Sequence, residues 1–224
     1  MAALRSNLPF DPVNDFAPVA RIGTQPYVLS VHPSLPVKNI KELIALARAH
    51  PGELAYAIPG YGTMQHLSAE LLKLRAGINM KHVAFQGGAP STMAVLGGHV
   101  GILVSTIAPI AELVPAGKLR ALAVTSRARS AVLKDVPTMV ESGLSDFEMT
   151  GQGGVSALAA TPKAAIDRLS AEIMRAVLLP EVKARLVMDG YDVAPVAAAE
   201  YGADIRARIQ KIRTIAKEAN IKLD

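Results

Sequence analysis

Between residues 54 and 124 short apolar runs alternate with amphipathic segments, and the links between them are only a few residues long. Residues 54–57, 82–85, 100–104 and 119–124 read as strands. Residues 63–75, 90–96 and 109–115 read as helices, the first with Leu67, Leu71 and Leu74 on one face and Gly77 at its end. Strands separated by helices pair in parallel, because the helix carries the chain back across the sheet. The alternation therefore predicts an α/β layer with a mostly parallel sheet.

The flanking chain extends this pattern. Leu8-Pro9-Phe10-Asp11-Pro12 reads as a loop, and strands are expected at residues 19–22 and 27–31, split by Gly23 and Pro26. Residues 38–50 form a helix presenting Ile40, Leu43, Ile44 and Ala47, stopped by Pro51-Gly52. Residues 127–146 are polar and broken by Pro137 and Gly143, with a short helix near 139–142, and mark a crossing between domains. Beyond them come a strand at 153–159, helices at 162–178 and 181–188, a strand at 191–193 and a helix at 198–219. The inward faces are expected to be Ile166, Leu169, Ile173 and Val177, then Ile205, Ile209, Ile212 and Ala216. The domain expectation is one α/β domain at residues 27–126, with residues 1–26 and 147–224 contributing to a first domain that is incomplete.

Composition removes several kinds of chemistry. The 224 residues include no cysteine, so disulfides, thiolate metal sites and a cysteine nucleophile are excluded. There is no tryptophan and aromatics are 4% of the chain, a poor supply for stacking nucleic-acid bases. The net charge of +5 is dispersed, with a local excess at Arg206, Arg208, Lys211, Arg213 and Lys217 that lies at helical spacing and reads as a solvated face. The start, MAALRSNLPF, lacks the basic stretch and apolar run of a secretory signal. No run reaches the roughly 18 apolar residues that would span a bilayer.

Two strand–loop–helix units carry the candidate site. In YAIPGYGTMQHLSAELL, residues 56–72, Gly60 and Gly62 let the backbone bend and approach a ligand, and Thr63 stands at the helix N-cap. The first N–H groups of that helix lack internal partners and suit an anion. AFQGGAPSTMAVL, residues 84–96, repeats the geometry, with Gly87 and Gly88 before a second helix start. On one sheet edge the two loops would meet at one place. GYGT is too short for a dinucleotide loop and no phosphate-binding P-loop occurs. His32, His50, His66, His82 and His99 show no metal-ligand spacing, and the expectation is no metal and no cofactor. His66 is expected either to face the ligand or to bond a neighbouring carbonyl, and Glu70 to lie on the surface. Ser68, Ser91 and Ser105 have no nucleophile context, and no carboxylate pair stands near the loops, so enzyme chemistry has no visible apparatus.

At this point the motifs resemble a known family. LPFDPVNDFAPVARIG, YAIPGYGTMQHLSAELL, HVAFQGGAP, AGKLRALAVTS, DVPTMVESGL and LAATPKAAIDRL are similar, in order, to segments of Bug-type periplasmic solute-binding receptors of tripartite tricarboxylate transporters. The resemblance implies a two-domain type II periplasmic-binding (Venus-flytrap) fold, a small organic acid as ligand, the transporter's membrane components as partners, no nucleic acid, no membrane insertion and a periplasmic location. It also implies ligand contacts from Gly60, Tyr61, Gly62, Thr63 and His66 in one loop and from Gln86, Gly87 and Ala89 in the other. Ile58 and Pro59 replace hydroxylated residues usual in the family, Gln86 a lysine and Gly101 an aspartate. The family's signal peptide and its Pro-Pro-Gly-Gly loop have no counterpart here, so the chain reads as the larger, later part of a receptor. The competing readings are an α/β enzyme acting on an acidic or phosphorylated metabolite, and the ligand-sensing domain of a transcription regulator.

Overall fold

The computed structural model describes residues 8–221. They form two compact units. One is built from Pro26–Thr150, the other from the chain up to Gln25 together with the chain from Gly151 onward.

In the Pro26–Thr150 unit the elements follow as the second half of β1 (Phe16–Val31), α1 (Ile40–Ala49), β2 (Ala55–Ile58), α2 (Met64–Ala76), β3 (Lys81–Ala84), α3 (Gly88–Leu96), β4 (Ile102–Thr106) and β5 (Arg120–Val124). The strand order is β3-β2-β4-β1-β5. β2 runs parallel to both β3 and β4. β1 lies between β4 and β5 and runs antiparallel to each. The parallel set read from the alternation is therefore present, with one reversed strand inserted in it. Val28, Val31, Ala57, Ile58 and Leu103 are fully buried, as expected of central strands covered on both faces, and Val124 on the outer strand β5 is buried as well.

Local signals explain where the helices begin and end. Asn39 caps α1 by accepting from Glu42 N at 2.9 Å, and Glu42 accepts in return from Lys38 N at 2.6 Å. Gly77 ends α2 in the left-handed conformation at φ +60°, its N–H donated to Lys73 O. Residues 109–115 do not form a helix; only a single 3-10 turn, Ala108–Ile110, is present before further turns. Residues 139–142 likewise close a turn, with Ser142 N donating to Thr138 O at 3.0 Å and Gly143 at φ +103°.

In the other unit β6 (Thr150–Leu158) and β7 (Asp192–Ala197) pair with β1, and α4 (Lys163–Val177), α5 (Pro180–Met188) and α6 (Ala198–Glu218) complete it. β1 is one continuous strand rather than two. Gly23 accommodates a register shift against β7, and a second shift falls between Leu29 and Ser30 against β5. The helix faces depart from the expected ones. α4 buries Ile166, Ser170 and Val177 while Leu169 is exposed, α5 buries no residue, and α6 buries Tyr201, Gly202, Ile215 and Ala216. Periodicity tells which residues share a face; it does not tell whether another element covers that face. Among the described residues no helix is long and apolar enough to cross a membrane.

A side chain at Gly23 has no room: its Cβ would stand 2.4 Å from the Asp192 carbonyl oxygen across the β1–β7 pair. Gly23→Ala is expected to destabilise the protein by about 1–3 kcal/mol, because backbone must move. At Gly101 the same atom would meet only the tip of Leu35, at 3.6 Å. Gly101→Ala is expected to stay within about 0.5 kcal/mol of the parent. Urea unfolding of both variants checks the contrast, and equal effects would contradict it.

Candidate functional site

β2 and β3 are parallel neighbours, with Ala57 opposite Val83 and Ile58 opposite Ala84. Their carboxyl ends therefore fall on the same edge, and the loops that follow start side by side. Backbone bonds join them: Phe85 N donates to Ile58 O and Gly87 N to Pro59 O, each at 2.9 Å. Two helix N-termini, those of α2 and α3, are thus fixed next to one another at the edge where open α/β sheets place ligands.

The first loop is shaped by its own side chains. Thr63, the N-cap of α2, accepts from His66 N at 3.3 Å and donates its hydroxyl to Gly60 O at 2.8 Å. Gly62 takes φ +71°, a conformation open to glycine, and donates its N–H to Nδ1 of His66 at 3.1 Å. Met64 and Gln65 then hold the free backbone donors of this helix start: among the described residues no acceptor takes either N–H. In the second loop Gly87, at φ +110°, has spent its N–H on Pro59, and Ser91 Oγ donates to Gly88 O at 2.8 Å. Gly88 and Ala89 retain free donors, and Pro90 has none to offer. Cβ atoms placed on Gly87 or Gly88 would meet nothing within 4 Å, so space lies open in front of this helix start.

Behind the first loop is a buried polar cluster. Glu70 Oε1 accepts a short hydrogen bond from the Tyr56 hydroxyl and an ion pair from Lys73 at 2.8 Å. Burial, reinforced by that hydrogen bond, raises the Tyr56 phenol above its ordinary range and keeps it a donor. His66, 1% exposed, turns Nε2 toward Glu70 Oε1 at 3.7 Å. Burial pushes its imidazole down to about 4, the Glu70 carboxylate partly opposing and His82 and Lys73 adding to the fall. The Tyr61 ring lies on His66 and His82, with centroids 4.6 and 5.3 Å away. The ligand atoms of His66, Glu70 and His82 lie within 4.8 Å of one another, the spacing of a possible metal site. However, Glu70 Oε1 already serves Tyr56 and the Lys73 ammonium, and Nδ1 of His66 serves Gly62, so the cluster fits a closed hydrogen-bond network better than a cation site.

The residues read from sequence are thus brought together, but several serve differently from expectation. Gly60, Tyr61, Gly62 and Thr63 form the first loop, and Gln86, Gly87 and Ala89 the second. The N–H groups of Gly62 and Gly87 are internal struts rather than open donors, and the free donors fall one to two residues later. His66 accepts from the Gly62 N–H rather than bonding a carbonyl, and Glu70 is buried rather than on the surface. The sequence assigns free donors to each helix start without naming Met64 and Gln65, whose position just past the Thr63 cap is the usable signal. Tyr56, Lys73 and His82 as members of the cluster were not foreseeable without the strand register.

Residues 2–221 match the profile of the tripartite tricarboxylate transporter family receptor. The chain belongs to this receptor family. Its members are solute-binding proteins, not enzymes, and the resemblance to Bug-type receptors read from the ordered motifs is correct. A relative from Pseudomonas sp. strain P51, encoded in the tcbD–tcbE intergenic region, is 35% identical over 188 residues, 84% of this chain and 56% of that protein. The chain therefore spans little more than half the length of that relative. The structure of R. palustris Rpa4515 with adipate superposes with a TM-score of 0.89 at 30% identity, over 98% of this chain and 73% of that one. The periplasmic binding protein BugD gives 0.86 at 26% identity, over 98% of this chain and 74% of its own. These neighbours establish the periplasmic-binding-protein fold class.

The depressed His66 value has a consequence for stability. A histidine held at about 4 when folded and near 6.5 when unfolded binds its proton more readily in the unfolded chain. The stability that rests on neutral His66 is complete above pH 6.5 and is lost as pH falls toward 4. We expect up to about 3 kcal/mol to disappear across that window. Denaturant unfolding at pH 7 and pH 4 measures it, and the difference should shrink in His66→Asn. An unchanged pH dependence in that variant would contradict the assignment.

Proposed function

We propose that this chain captures a small organic carboxylate in the periplasm for the membrane components of a tripartite tricarboxylate transporter, and that the loops at 59–65 and 85–89 hold the carboxylate. The observation that carries this reading is the four free backbone donors of Met64, Gln65, Gly88 and Ala89 on two joined helix starts. Helix N-termini favour negative charge, and each charge-assisted bond to a carboxylate contributes about 1.5–3 kcal/mol before desolvation. Membership of a receptor family, and adipate in the related Rpa4515 structure, support an organic acid as the ligand class. On this reading Tyr61 and Gln86, both exposed, border the ligand, and Thr63 and Gly87 shape its seat.

Two substitutions test the donors directly. Ala89→Pro removes one N–H while keeping a backbone suited to the first helical turn. Calorimetric titration with adipate and a panel of mono- and dicarboxylates should show about a tenfold or greater loss for the best binder. Gln86→Lys adds a cation beside the same place and should tighten the best binder by about two- to fivefold, less at high salt. Unaltered binding in Ala89→Pro would refute the placement of the carboxylate.

A further inference from the structure

We propose that His66 and Glu70 are positioning residues: they fix the loop that presents the Met64 and Gln65 donors without touching the ligand themselves. The proposal rests on the carboxylate reading of the loops at 59–65 and 85–89.

Nδ1 of His66 accepts from Gly62 N at 3.1 Å, and a neutral imidazole accepts at Nδ1 only when its proton is on Nε2. Nε2 points at the carboxylate of Glu70, 3.7 Å away, which favours the proton on that side. Glu70 is in turn held from two directions, by the Tyr56 hydroxyl on β2 and by the Lys73 ammonium on α2. A chain of polar contacts thus runs from β2 through Glu70 and His66 to Gly62, the loop into which β2 itself leads. It closes on a residue at φ +71° whose N–H would otherwise be a competing donor at the site. With that N–H consumed, Met64 and Gln65 are left as the free donors of the α2 start, where among the described residues no acceptor takes either N–H.

The groups facing the His66 ring are Glu70 and Lys73 from its own helix, Tyr61 from the loop and His82 from β3, with Tyr56 reaching Glu70 from β2. None but Glu70 offers a carboxylate to Nε2, so Glu70 decides which nitrogen carries the proton. A doubly protonated ring would turn Nδ1 into a donor facing the Gly62 donor, and the strut would be lost.

The test uses the whole chain, 15N-labelled, with adipate as probe. At pH 7 the ring nitrogen shifts of His66 should report the Nε2–H tautomer, and Gly62 should show a slowly exchanging amide. Glu70→Gln should mix the tautomers and speed that exchange. His66→Asn places a carbonyl near the position of Nδ1 and should keep adipate affinity within about threefold, whereas His66→Gln reaches toward Nε2, leaves Gly62 unpartnered and should lose about tenfold. An Nδ1–H tautomer in the parent overturns the proposal. So do equal affinity losses in Asn and Gln variants with matching falls in Tm, which would make His66 structural only. Stoichiometric Zn2+ that shifts both the His66 and His82 rings and alters adipate affinity would overturn it in favour of a metal site. Failure of the parent chain to bind adipate or any carboxylate of the panel overturns the ligand reading instead, and the tautomer and amide exchange still decide the strut.

Discussion

The parallel pairing of β2 with β3 is the constraint on which the site depends. A parallel pair sends both strands out of the sheet in the same direction, so the helices that follow begin at one edge. The register places Ile58 against Ala84, and the next residues continue the contact as loop: Phe85 N reaches Ile58 O and Gly87 N reaches Pro59 O. Those two bonds take the slack out of both connections. Without them each helix N-terminus would be an ordinary capped start; with them two positive helix ends share a place.

Bringing two such ends together is unfavourable unless the backbone around them is held. The structure holds it by burying polar groups rather than by apolar packing alone. Glu70 is 7% exposed, and a carboxylate that deep is tolerated only with partners, here the Tyr56 hydroxyl and the Lys73 ammonium. Removing one partner would leave the others unsatisfied, so the cluster stands or falls as a unit. This concentrates structural specificity directly behind a loop, residues 59–65, that itself carries no charged side chain.

How much of this was legible in the sequence follows from the kind of signal each feature leaves. Thr63 and Gly77 announce the ends of α2 because caps are chemical requirements of the backbone, and both stand where expected. The two glycine loops were legible for the same reason. The role of each glycine was not: whether Gly62 offers its N–H outward or inward depends on a histidine four residues on, and that histidine's orientation depends on a carboxylate four residues further still. The misreading of Glu70 has a general cause. α2 buries every residue from His66 to Leu72, so it lacks the polar face on which a glutamate would ordinarily be placed. Leu169 errs in the opposite direction, apolar at helical spacing yet exposed, because spacing cannot supply a covering element. The continuity of β1 was hidden by Gly23 and Pro26, which punctuate the sequence but are absorbed in the fold by a shift in register at Gly23.

The absence of a basic side chain from either loop bears on what kind of receptor this is. Gln86 stands just before the second helix start, and it brings no charge. On the proposed reading, attraction to a carboxylate comes from oriented backbone dipoles, which are fixed in direction and short in range. Such a seat discriminates by the placement of oxygens more than by charge, and it holds a ligand without the strong, long-range pull of a guanidinium or ammonium. For a receptor that captures and releases a carboxylate, as proposed above, moderate attraction with strict geometry is a consistent solution. The same reading accounts for a buried polar cluster, Tyr56, Glu70, Lys73 and His66, whose contacts end on the loop backbone at Gly62.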